Sequence, residues 1–92
     1  MAFSLIRESD GAGDSGPMST IYRYDPATGQ IERLHESKPK VGYSIMVGSF
    51  MARTYALQDY WQTTEITEIL EEKDEYVKFK TYSGSIYEWR VI

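Results

Sequence analysis

Cysteine is absent from this chain, and histidine occurs once, as His35. The first absence removes disulfide staples, thiolate zinc sites and thiol nucleophiles together. The second leaves no multi-histidine metal site, so neither a metal nor a cofactor is expected. Basic residues are also short: ten Lys and Arg stand against fourteen Asp and Glu, for a net charge of −4. That balance disfavours direct nucleic-acid binding, because phosphate contacts draw on surplus Lys and Arg. Long apolar runs are missing as well, and nothing approaches the roughly 18 apolar residues of a membrane helix. The run Ala2–Ile6, broken by Ser4, is too short for a signal peptide and lacks a leading positive charge. A cytoplasmic protein without membrane contact is the expectation.

What is present is β patterning. With 92 residues the chain has room for one domain, and its core will be thin. Residues 18–92 are expected to form that single small β domain. Residues 1–17 stand apart as a flexible leader, an extra strand at Phe3–Arg7, or a vector-derived addition. Within them, Ser9–Pro17 holds three Gly, two Ser and two Asp, a linker composition. Thr20–Tyr24 and Ile31–His35 alternate around Asp25–Gln30, where Asp25-Pro26 opens a turn and Gly29 returns the chain; the pair reads as a hairpin. Val41–Phe50 is apolar, with Gly42 and Gly48 at bend positions. Met51–Tyr60 has few breakers and leaves room for one short helical turn. Thr63–Leu70, Tyr76–Tyr82 and Ile86–Ile92 read as a three-stranded meander joined by an acidic turn, EEKDE, and by Ser83-Gly84-Ser85. A helical stripe through Ile66, Ile69, Leu70, Lys73, Tyr76 and Val77 is the rival. The five β-branched residues of Thr63–Ile69 favour strand. The fold expected is all-β, a small five-stranded barrel or half-barrel built from the hairpin and the meander.

The chemical constellations are few. GAGDSG has no preceding strand, no following helix and no Lys-Ser/Thr pair, so it reads as linker rather than phosphate cradle. His35, near Glu32 and Glu36, is the one candidate general base, and a small hydrolase or lyase using it is one reading. The plainer reading is a surface histidine at a strand end, and no catalytic residue is assigned. Charge is unevenly placed: residues 1–62 are net −1 and residues 63–92 net −3. Glu65, Glu68, Glu71, Glu72, Asp74 and Glu75 form an acidic patch. Such a row can imitate a phosphate backbone and inhibit a nucleic-acid-processing protein, or it can simply keep a sheet edge soluble. Aromatics make up 14% of the chain. Trp61, Trp89, Phe79 and Tyr87 are expected in the core. Tyr43, Tyr55 and Tyr60 fall in or beside the unassigned central segment and are candidate protein-binding residues.

Residues 41–92 carry a glycine-methionine segment (GYSIMVGS), a Trp-Thr strand (YWQTTEITEI), then YVKFKT and SGSIYEW. Together these resemble small β-barrel proteins of bacteria, phages and mobile gene cassettes, barrels of the Src-homology-3 (SH3-like) type. The resemblance implies a fold and no reaction. It also implies an accessory or inhibitory binder, so a non-enzymatic protein-interaction module, with a protein partner or self-association, is the function expected.

Overall fold

Alternation sets the C-terminal meander. In Tyr76–Thr81 the side chains of Val77, Phe79 and Thr81 share one face and are all buried, while Lys80 on the other face is exposed. Ile86–Val91 repeats the pattern with Tyr87 and Trp89 inward. The computed structural model describes residues 2–48 and 60–92. Among them are nine strands and no helix: β1 (Phe3–Arg7), β2 (Gly13–Gly16), β3 (Met18–Asp25), β4 (Gln30–His35), β5 (Ser44–Gly48), β6 (Tyr60–Gln62), β7 (Ile66–Lys73), β8 (Tyr76–Thr81) and β9 (Ile86–Val91). They form a five-stranded antiparallel sheet in the order β2-β1-β9-β8-β7 and a four-stranded one in the order β4-β3-β5-β6. The all-β class agrees with the sequence. The strand count does not, and no closed barrel is detected among the described residues.

Two differences account for the higher count. The Gly-rich stretch after Phe3–Arg7 pairs with that strand, Leu5 opposite Asp14, instead of running free. A Cβ on Gly13 would collide with the Leu5 carbonyl oxygen, and one on Gly16 with the Gly48 carbonyl. These glycines permit close backbone packing. The second difference is that long stretches turn corners between sheets. β2 continues into β3 across Pro17, and β6 leads to β7 across Thr63–Glu65. At the second corner Thr63 N–H donates to the Ile45 carbonyl (3.0 Å) and Ile66 N–H to that of Tyr43 (2.8 Å), so the flank of β5 carries over to the head of β7.

The core lies between the sheets. Phe3, Leu5, Val77, Phe79, Tyr87 and Trp89 come from one side, and Ile21, Tyr43, Ile45 and Val47 from the other, with Ile66 at the corner. Phe3 stacks on Trp89 with centroids 5.8 Å apart, and Phe79 on Tyr87 at 5.6 Å. Each such burial contributes about 1.5–3 kcal/mol. The polar tips are satisfied across the core: Trp89 Nε1 donates to Ser19 Oγ (2.9 Å), and half-buried Trp61 Nε1 to the Tyr87 hydroxyl (3.2 Å). No buried side-chain polar atom among the described residues lacks a partner.

The hairpin forms as its turn chemistry dictates. Asp25 Oδ1 accepts from Ala27 N–H (2.9 Å), Gly29 N–H donates to the Asp25 carbonyl (2.8 Å), and Gly29 takes φ +71°. The acidic turn is shorter than expected. β7 extends through Glu71, Glu72 and Lys73, and only Asp74 and Glu75 turn. Charged residues continue a strand here because Glu68 faces Lys80 and Glu71 faces Lys78 on the neighbour.

Candidate functional site

The expected acidic patch does not form one row. β7 alternates and slips register twice, between Ile66 and Glu68 and between Ile69 and Glu71. Glu68 and Glu71 therefore lie on the face opposite the core, each across from a lysine, while Glu72 pairs across to Val77 on the core-facing side. Lys38 Nζ reaches Glu72 at 3.6 Å and donates to the Lys73 carbonyl at 2.9 Å; Lys73 Nζ contacts Glu71 at 3.1 Å. Asp74 and Glu75 remain exposed at the turn, and Glu65 sits apart, at the corner before β7. Lysines thus neutralise the middle of the patch.

Of the three candidate tyrosines, Tyr55 lies outside the described residues. Tyr43 is corrected by the structure: at 4% exposure its ring belongs to the core. The period of two explains this, since Tyr43 shares a parity with inward Ile45 and Val47. Its hydroxyl still reaches the hairpin and donates to Glu32 Oε1 at 2.9 Å, while the Arg23 guanidinium lies 5.0 Å above its ring. Glu32 also accepts from Arg23 Nε at 3.0 Å. The Tyr43 hydroxyl and then Arg23 hold the Glu32 carboxyl below its ordinary value. Tyr60 is half-buried on β6, opposite Gly48.

His35 is exposed at the end of β4, with Nδ1 3.1 Å from the Thr20 hydroxyl. It lines neither of two clefts formed by described residues. The smaller cleft, about 280 Å³, runs along β1 and β2 beside Ser4, Ile6 and Asp14. The larger, about 430 Å³, is lined by Tyr22, Arg23, Tyr24, Gly42, Ser44 and Glu65.

That larger cleft adjoins the least protected sheet edge among the described residues. Among the described residues β4 pairs only with β3, in unbroken register from Thr20–His35 to Asp25–Gln30. Ile31 is 54% exposed, Leu34 38%, and Tyr24, directly opposite Ile31, 64%. Sequence reasoning read this hairpin but assigned it no function. The signal was in IERLH: its apolar residues three apart fall on opposite faces, so one of them cannot point to the core.

The comparisons with known proteins add no assignment: no family model, no curated protein and no solved structure matches the chain.

Proposed function

We propose that this chain is a non-enzymatic protein-interaction module of the SH3-like kind, which receives an extended segment of a partner protein along β4. The barrel reading is supported by the two corners, where β2 passes into β3 and the chain of β6 into β7, so that each sheet hands strands to the other. The interaction reading is carried by one observation, a regular six-residue edge strand with exposed apolar side chains and no register slip. An edge of this kind presents unpaired N–H and C=O groups to any extended chain, and pockets for alternate side chains supply selectivity.

A second copy makes a poor partner strand. Two-fold antiparallel pairing places one residue opposite itself and keeps the two faces separate. Centring on Arg33 opposes two guanidinium groups, centring on Glu32 opposes two carboxylates, and centring on Leu34 sets Glu32 against Glu36. Centring on Ile31 engages only Gln30, Ile31 and Glu32 of the strand. A foreign segment with an apolar residue opposite Ile31 and an acid opposite Arg33 meets none of these conflicts.

The test is selection of short extended peptides from a displayed library, with affinities then measured against three proteins. Wild type and Leu70→Lys, altered on β7, should bind alike. Ile31→Lys should lose about tenfold or more, and Gln30–His35 amides should gain exchange protection on binding. Selected peptides that bind Ile31→Lys as well as wild type would remove the reading.

A further inference from the structure

The cleft beside the hairpin has a composition that selects its occupant. Tyr22 and Ser44, half-buried cross-strand partners, line it together with Tyr24, Gly42 and exposed Glu65. Its volume of about 430 Å³ lies within the roughly 300–1,000 Å³ typical of ligand clefts. Two charged residues line it. Arg23 is already committed, held by Glu32 at 3.0 Å and laid over the Tyr43 ring. Glu65 forms no ion pair among the described residues. Among the described residues the one lining charge outside an ion pair is therefore the Glu65 carboxylate, which shares the cleft with two phenol rings. Burial keeps the Tyr22 phenol above its ordinary value, against the Ser44 hydroxyl, so that ring is neutral near pH 7.

We infer that this cleft takes a cationic side chain, Lys or Arg, from the partner protein. Aromatic faces attract a cation through the ring quadrupole, and a carboxylate adds a charge-assisted hydrogen bond. Arg fits best, because its planar guanidinium stacks on a ring while its N–H groups reach the carboxylate. The inference rests on the protein-binding reading and deepens it. Tyr24 is the direct neighbour of Ile31, so cleft and edge are two parts of one surface.

The probe is a blocked single-arginine peptide, Gly-Arg-Gly capped at both ends, titrated while amide and tyrosine ring resonances are followed. So short a ligand cannot add a strand, so the titration reads the cleft alone and its failure is distinct from failure at β4. Saturable shifts are expected at Tyr22, Tyr24, Gly42 and Ser44, with weaker binding by the lysine peptide. Replacing arginine with isosteric, uncharged citrulline should weaken binding about tenfold or more, and Glu65→Gln should do the same with the fold intact. Leu70→Lys, on β7 and outside this surface, should leave the titration unchanged. Absence of saturable shifts, equal binding of the citrulline peptide, or binding indifferent to Glu65→Gln would each overturn the assignment.

Discussion

Strands β4 and β7 are each the outermost strand of a sheet, and they meet solvent differently. β7 carries Glu68, Glu71, Glu72 and Lys73, slips register twice, and has its last carbonyl capped by Lys38. Those are the devices by which sheet proteins discourage unwanted pairing: charge, bulges and a covered end. β4 carries only Glu32 and Arg33, of opposite sign, and among the described residues it has neither a register slip nor a capped end. Its pairing is regular, and Ile31 and Leu34 are exposed. The remaining outer strands, β2 and β6, lie close together, and β2 also approaches β5. On the proposed reading, one edge of the exposed pair is guarded and the other receives a partner: the acidic residues of the C-terminal third protect β7, and the hairpin is where the partner is met.

The largest effect should come from asking which edge the core holds. Ile66, at the head of β7, is fully buried, whereas Leu34 on β4 is 38% exposed. Ile66→Ala should cost about 2–5 kcal/mol in urea denaturation, and Leu34→Ala under about 1 kcal/mol. Equal losses would mean that β4 is as deeply anchored as β7.

Acid should separate the edges next. Glu32 fastens β4 to the core through the Tyr43 hydroxyl and through Arg23, and its carboxyl sits below its ordinary value. A lowered folded-state pKa means the contribution is complete above the ordinary glutamate range and lost as pH falls through the lowered value. Amide exchange in Gln30–His35, corrected for intrinsic rates, should accelerate in that acidic window and become pH-independent in Glu32→Gln. Ile66–Lys73, whose acids show no comparable fastening to the core, should follow global stability alone. A β4 response identical in Glu32→Gln would show the edge is held by something else.

The smallest effect belongs to the cap on β7. Lys38→Ala removes an exposed pair at 3.6 Å and one hydrogen bond. It should lower stability by only about 0–1 kcal/mol, while raising dimer content at high concentration in sedimentation if the cap guards the edge.

Hairpin and meander were legible in the sequence because both obey a period of two and end in turn residues that admit few conformations. Residues Gly11–Gly16 were not. A linker and a strand with no room for a Cβ at Gly13 and Gly16 have the same composition, and only the Leu5 and Gly48 carbonyls decide between them. EEKDE misled for a related reason: charge marks exposure, and an edge strand is as exposed as a loop. Tyr43 was legible in principle, since its parity matches Ile45 and Val47. The site was the least legible part. Tyr24, Ile31 and Glu65 come from three separate stretches, and only the corner before β7 brings Glu65 to the hairpin.

The pairing of β1 with β9 has a kinetic consequence. Leu5 sits opposite Trp89, and Ile92 N–H donates to the Ala2 carbonyl, so the first of the nine described strands is joined to the ninth. Closure of so long a loop is costly in chain entropy and cannot occur until β9 has been made. Until then β1 waits without its β9 partner, and the nascent chain passes through an interval in which Phe3 and Leu5, buried in the finished fold, lie on an open edge.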